Sequence, residues 1–430
     1  MKKTMIKSSL SLAITLASTQ IFASGFALNE QSISGMGTGF AGRSSSVDDA
    51  SIVYGNPAGM SRLKRQQVTV GVAAIDAKTD IKDASGSATG TNKGDMVPFT
   101  AVPMGFYVNP VDDHWAFGLG VYAPFGLVTD YESSFQGRNF GSKSMVKVIT
   151  FQPTVSYAFN DKVSIGFGPT INRISGVLES ALNVSPLLGA RTGDGRVQVK
   201  GDDVGYGFNA GVLVQATDST SVGLTYHSKV TYKLDGHTEV TPGAGVPATV
   251  LGAGRYDGKL SLDTPESVDF SVTQKMTDDW KLYAGATWTR WSRLQDITVR
   301  NSGVTRAGGV AAPTLVSTIT EEQNWHDTWA YAVGTSYQLN KQWVLRTGLT
   351  FDQSPTNNTD RSPRIPTGDR TIFSVGAGYS PTDDITIDVA YSYLDEETIK
   401  VNRTNALGQR YSSKYDNSAN GFGLGLTYRF

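Results

Sequence analysis

The chain has no cysteine, which removes disulfides, thiolate catalysis and cysteine metal sites. Its four histidines, His114, His227, His237 and His326, are scattered without metal-ligand spacing, so neither a metal nor a cofactor is expected. No serine–histidine–acid set can be assembled, so an enzyme is not expected either. An excess of one charge is missing: 38 Lys and Arg face 39 Asp and Glu, which gives no reason to expect nucleic acid. Past the first residues no run approaches the roughly 18 apolar residues of a spanning helix. Glycine (47) and aromatics (18 Tyr, 18 Phe, 7 Trp) are abundant instead, which suits short strands, tight turns and interfacial girdles.

Residues 1–23 read as a removable leader: Lys2, Lys3 and Lys7, then the short apolar run Leu10–Ala17, then a small-residue cleavage site at Ile21-Phe22-Ala23. Bacterial export follows. From Gln67 onward the pattern has period two. Trp115, Phe117, Leu119 and Val121 alternate with Ala116, Gly118 and Gly120; Phe422, Leu424, Leu426, Tyr428 and Phe430 alternate with Gly423, Gly425, Thr427 and Arg429. Val102, Met104, Phe106 and Val108 form a similar apolar set in the second strand. Short Asn- and Asp-rich turns alternate with long polar loops at about 83–96, 125–144, 176–203, 234–257, 293–324, 353–370 and 395–419. A sandwich has no reason to sort its loops so; a membrane barrel has one short periplasmic side and one long outer side. The expected fold is all-β, a transmembrane antiparallel β-barrel of about 14 strands over residues 67–430, in the bacterial outer membrane. Trp280, Trp288, Trp291, Trp325, Trp329, Trp343 and Tyr428 sit at strand ends and are expected in the interfacial girdles.

Residues 24–66 lack strand alternation and any long amphipathic helix. They are rich in small residues, with Asn56-Pro57-Ala58 at their centre. Small residues let a chain pack closely on a wall, so this stretch is expected to be a hatch, or plug, inside the lumen. Gly37-Thr38-Gly39-Phe40-Ala41-Gly42 fits G-x-G-x-x-G, but no strand precedes it and no helix pattern follows, so a nucleotide site is discounted.

The chain resembles the FadL-type outer-membrane transporters of long-chain fatty acids and other hydrophobic compounds. The matching residues are Gly25-Phe26-Ala27-Leu28-Asn29-Glu30, Ser34-Gly35-Met36-Gly37, Ala41-Gly42, Asp48-Asp49-Ala50-Ser51, Asn56-Pro57-Ala58-Gly59, Trp325-His326-Asp327, Trp343–Pro355 and the closing Phe430. The resemblance implies that Asn56, Pro57 and Ala58 lie against a kink in the third strand, about Trp115–Gly126, through which ligand leaves sideways into the bilayer. Gly118, Gly120 and Pro124 weaken that strand and suit a bulge; Asn56 is the candidate to satisfy the freed backbone.

A fatty acid needs a greasy landing site, then an apolar pocket with one cation. Phe125 and Leu127, then Leu178, Leu182 and Leu187, offer apolar surface in the outer loops, and Val177, Leu178, Ala181 and Leu182 have helical spacing. The resemblance places ligand against Phe26 and Leu28 at the start of the hatch. It places the carboxylate near His326, which alternation puts on the lumen phase, or near Arg173, which needs either a bulge at Pro169 to turn inward or a position beyond the apolar band. Arg346 and Lys229, on the lumen phase, are fallback partners. A His is only partly charged near neutral pH, which keeps monoaromatic or alkane hydrocarbons as an alternative cargo. A general diffusion porin is a more distant alternative, since an open pore needs no plug. Other expected partners are outer-membrane lipid and lipopolysaccharide, and the barrel assembly machinery through Phe430.

Overall fold

A computed structural model describes residues 25–189 and 191–430. The leader and its cleavage site lie outside them. Nineteen ladder segments form one antiparallel sheet, and they make fourteen barrel strands. In order these are Gln67–Gly86, Thr100–Pro110, Trp115–Asp130, Lys143–Ala158, Val163–Leu182, Gly195–Gln215, an interrupted seventh (Thr220–His227 and Val230–Thr241), an interrupted eighth (Gly254–Thr264 and Ser267–Lys275), Trp280–Thr289, Thr328–Gln338, Trp343–Asp352, Arg370–Tyr379, Ile385–Glu396 and Arg410–Arg429. Asp296–Ser302, Thr318–Glu322 and Ile399–Thr404 are short ladder segments on the long-loop side. The first strand pairs with the fourteenth from Gln67–Arg429 to Gly86–Tyr411, so the ring closes and leaves no free edge to lipid.

Period-two alternation sorts the faces. Trp115, Phe117, Leu119, Val121, Val333, Leu424 and Leu426 are exposed on the outside, the surface that hydrocarbon covers. Three sequence expectations change. In the second strand the apolar phase points inward: Val102, Met104, Phe106 and Val108 are buried, the last three packed with Ile52, Val53 and Met60 of the hatch. Trp291 and Trp325 are buried in the interior, whereas Trp280, Trp329, Trp343 and Tyr428 are exposed as a girdle requires. Much of the expected loop sequence is strand: Phe125–Asp130, Gly176–Leu182, Gly195–Asp203 and Arg410–Ala419 extend the walls outward. Beyond the lipid nothing requires an apolar outer face, so these extensions lose the alternation that marks the membrane band. Val177, Leu178, Ala181 and Leu182 accordingly lie on the fifth strand; the helix there is confined to Ser185–Leu188.

The hatch sits inside the ring and touches strands all round it. It holds two short helices, Ile33–Gly37 and Ile52–Gly55, and a 3-10 turn, Pro57–Arg62. Ser32 caps the first helix by accepting from Gly35 N at 3.0 Å, and Asn56 caps the 3-10 turn by accepting from Ala58 N at 3.0 Å. Wall hydroxyls and amides satisfy its backbone: Thr350 Oγ1 donates to Gly39 O (2.7 Å), Gln152 Nε2 to Val53 O (2.9 Å) and Thr225 Oγ1 to Gly55 O (2.8 Å). Wall glycines make the fit possible. A Cβ on Gly376 would lie 2.8 Å from Gly37 Cα.

The loop at 353–369 does not stand out in solvent. Residues 361–368 are all buried, and they cross the mouth as a strap toward the third, fourth and fifth strands. Arg364 fastens it. Nε pairs with Glu321 at 2.8 Å, and Nη1 donates to Lys143 O, Ser144 Oγ and Glu179 O at 3.0–3.1 Å. Tyr131 Oη donates to Pro363 O at 2.7 Å. Arg364→Ala leaves the half-buried Glu321 unpaired and removes three bonds to the fourth and fifth strands, and is expected to loosen the strap by about 1–3 kcal/mol. Limited proteolysis of intact cells should then cut within 353–369 at least tenfold faster, with the barrel unaffected.

Candidate functional site

The third strand carries the irregularity that organises the site. Its register against the fourth strand slips between Tyr122 and Phe125, so Ala123 and Pro124 together face one residue. Its ladder with the second strand stops at the Val121–Gly105 pair. Past that point the ladders run from Thr100–Met104 to the first strand and from Phe125–Asp130 to the fourth, and a single bond, Asp130 N to Met96 O at 2.7 Å, rejoins the two sides at the outer end. The wall is split there. Pro124 has no N–H to offer a ladder.

The split is sealed from inside by the start of the hatch. Gly126 N donates to Phe26 O at 2.9 Å, Leu28 N to Pro124 O at 2.8 Å, and Gln31 Nε2 to Ala123 O at 2.6 Å. Ala27 and Phe125 form an isolated antiparallel bridge. The Leu28 side chain, 1% exposed, fills the gap between Val102 and Ala123. The freed backbone at lipid depth is thus satisfied by Phe26, Leu28 and Gln31. This corrects the expectation for Asn56-Pro57-Ala58. Asn56 Nδ2 donates to Ser44 O (2.7 Å) and to Val212 O of the sixth strand (3.0 Å). Ala58 O accepts from Ser156 of the fourth strand at 3.1 Å, and Pro57 and Ala58 lie against Gly166 of the fifth. The turn braces the hatch on strands four to six. Gly118 and Gly120 are not in the bulge; a Cβ on Gly118 would lie 2.5 Å from Met60 Sδ, and one on Gly120 3.2 Å from the Phe106 ring.

Above the seal lies an aromatic box. The Phe26 ring is 4.9 Å edge-on to Trp291, 5.7 Å from Phe125 and 6.0 Å from Trp325, and the two indoles are 5.1 Å apart. Gly25 has φ of +67°, and a Cβ there would lie 2.7 Å from Trp325, so only glycine fits. Leu127, Ile174, Leu234, Leu262 and Ile365 of the strap pack on this box. Farther out, a cavity of about 560 Å3 is lined mainly by apolar residues of strands four to eight and of the Asp296–Ser302 segment, Leu178 among them.

Two more cavities border the hatch. One, about 900 Å3, lies against Met36, Phe40, Arg43 and strands eight to fourteen. The other, about 650 Å3, lies behind the bulge and is lined by Leu28, Tyr122, Pro124, Phe125, Arg43 and His227. The Glu30 carboxyl faces the first. Burial pushes it up to about 7, against the pull of its own backbone amide and of Arg43.

The expected carboxylate partners are elsewhere. The fifth strand pairs with the sixth without a break from Val163 to Leu182, so no bulge at Pro169 turns Arg173. It stays on the outward phase, between the buried Asn172 and Ile174. His326 is exposed because phase is lost before the tenth strand begins. Trp325 and Thr328 both point inward, and Asn324 has a left-handed φ of +47°. Lys229 falls in the interruption of the seventh strand and is exposed, pairing with Asp263 at 3.4 Å. Arg346 does face the lumen and is held by Asp388 at 2.6 Å. Of the apolar loop residues, Phe125 and Leu127 join the box, Leu182 packs in an outer loop cluster with Val184 and Leu251, and Leu187 is 51% exposed. Arg43, Gln31, Trp291 and His227 were not foreseen. Arg43 had a signal, as the one basic residue between 24 and 61.

Comparison with known proteins places this geometry. A family model described as outer membrane protein transport protein (OMPP1/FadL/TodX) matches residues 14–430. A long-chain fatty acid transport protein of Escherichia coli O6:H1 is 30% identical over 458 aligned positions, covering 100% of this chain and 99% of the relative. The crystal structure of a Pseudomonas aeruginosa FadL homologue is 27% identical and superposes with a TM-score of 0.85 over 95% of this chain and 100% of that one. The P. putida toluene transporter TodX shares the fold, with a TM-score of 0.69 at 20% identity over 96% of this chain and 99% of that one.

Proposed function

The chain belongs to the outer-membrane transport protein family OMPP1/FadL/TodX, and on that premise we propose that it takes up long-chain fatty acids by passive, hatch-gated lateral diffusion. The carrying observation is the split between strands two and three, sealed from inside by the first residues of the hatch and bridged at its outer end by Asp130 N donating to Met96 O at 2.7 Å. Ligand lands on apolar surface of the outer strands, passes the aromatic box and displaces Phe26–Leu28. It then slips between Thr100–Met104 and Phe125–Asp130 into the bilayer. No energy input is required, because the apolar chain moves from water to hydrocarbon, about 0.8 kcal/mol per CH2. The side chains named along that route are apolar or aromatic.

Monoaromatic or alkane hydrocarbons are the second reading. The outward placement of Arg173 and His326 favours it, since neither can hold a carboxylate in the lumen. The deciding experiment is oleate uptake by cells lacking their own transporter. Cells carrying this chain are expected to take up oleate at least tenfold faster than cells with an empty vector. Equal rates would exclude fatty acid cargo, and toluene uptake in the same cells would then identify hydrocarbons. Swelling of liposomes in small sugars would instead point to a porin.

A further inference from the structure

We propose that the cavity behind the third-strand bulge seats the carboxylate head of a long-chain acid, with Arg43 supplying the charge and His227 Nε2 a hydrogen bond. The inference rests on the fatty acid reading above and assigns it a head-group site on the hatch, where the sequence had suggested the barrel wall.

That cavity is polar as well as close to the exit. Asn29, Asn172, Asn209, Thr150 and Thr170 line it, and Arg43 is the only charged residue among its described lining residues. A hydrocarbon would gain nothing from such walls and would leave their polar groups without water. Arg43 is loosely held. Nη2 donates to the neutral amide of Asn29 at 2.9 Å, and Nη1 is 4.0 Å from Asp269. Asp269 is itself bonded by Ser44 and, at 2.6 Å, by Thr287. The guanidinium therefore keeps capacity for a bidentate carboxylate. His227 Nε2 is buried with no hydrogen-bond partner, and its ring lies tilted against Tyr54 with centroids 4.8 Å apart. A buried ring nitrogen without a partner is costly, and a bound head group would supply one. Phe125 belongs both to this cavity and to the aromatic box, so a head on Arg43 directs the acyl chain toward Phe26 and Trp291.

Glu30 makes the site sensitive to pH. The charged and titratable groups facing it are Arg43 and Tyr54 of the hatch and Asp269, Asp352 and Arg370 of the wall. With its carboxyl raised to about 7, Glu30 is largely neutral below that pH and adds no second anion to Asp269 beside Arg43. Above it a second anion competes, so oleate affinity falls as pH rises through 7.

The test uses the full chain in detergent, with oleate and the neutral oleyl alcohol as probes read by quenching of tryptophan emission. Arg43→Gln is expected to weaken oleate at least tenfold and oleyl alcohol less than twofold. Arg43→Lys should recover part of the loss, and Glu30→Gln should flatten the decline in oleate affinity between pH 6 and 8.5 relative to the parent. Unchanged oleate binding by Arg43→Gln, or equal loss of both probes, would overturn the head-group site while the fatty acid reading stands. A parent that binds oleyl alcohol but not oleate would overturn both.

Discussion

A disulfide between Ala27→Cys and Phe125→Cys is expected to stop oleate uptake, and a reductant to restore it. The two residues face each other between the Gly126 N–Phe26 O and Leu28 N–Pro124 O bonds. They therefore form a non-hydrogen-bonded antiparallel pair, with Cα atoms about 4.5 Å apart, inside the range a disulfide spans. The natural chain has no cysteine, so the new bond has no competitor. Oxidised, it fixes the seal across the split; reduced, the same two substitutions serve as their own control for the lost Phe125 ring. Uptake should fall at least tenfold at equal surface amount. If the oxidised and reduced forms transport alike, lateral exit at this split is wrong, since no ligand could pass a covalently closed gap.

Gly223→Val should turn the barrel into an open pore. A Cβ on Gly223 would coincide with the Ser44 carbonyl oxygen and lie 2.8 Å from Ser45 N, and both belong to backbone that cannot swing away. Valine suits a strand, so the seventh strand still forms and the hatch loses its seat. Overpacking of this kind costs about 1–3 kcal/mol even when neighbours can shift. Liposomes carrying the variant are expected to swell in small sugars, while parent liposomes do not. Gly105→Val is the matched control, because a Cβ there meets nothing within 4 Å; it should stay tight. A tight Gly223→Val barrel would show that the Ser44 turn rearranges without unseating the hatch.

The barrel was legible in the sequence wherever lipid and lumen impose opposite demands on alternate residues, as along Trp115–Val121 and Phe422–Tyr428. It was less legible where the same residues answer to something else. Val102–Val108 read as a lipid face because a hatch made of Ile52, Val53 and Met60 asks for the same apolar side chains. His326 and Lys229 were misplaced for one reason: each lies in a break of its strand, where counting by two fails. Pro124 did mark the interruption of the third strand. What it could not show is which partner would satisfy the freed carbonyls, because Gln31 is separated from Ala123 by 92 positions and nothing local announces the contact. Asn56 was placed at the kink by the family resemblance, and the fold gave it to the sixth strand.

On the proposed lateral route, the strap across the mouth would make the transporter an airlock. With the Arg364 fastening above and the Phe26–Leu28 seal below, two doors stand in series around one apolar vestibule, and Ile365 and Phe26 pack into the same cluster between them. A greasy passenger on that route would wet the vestibule and pass one door at a time, whereas its apolar walls hold water poorly. Ions and antibiotics dissolved in water would then find no conduit even at the instant a passenger leaves. A cell can crowd its surface with such transporters without making its outer membrane leak.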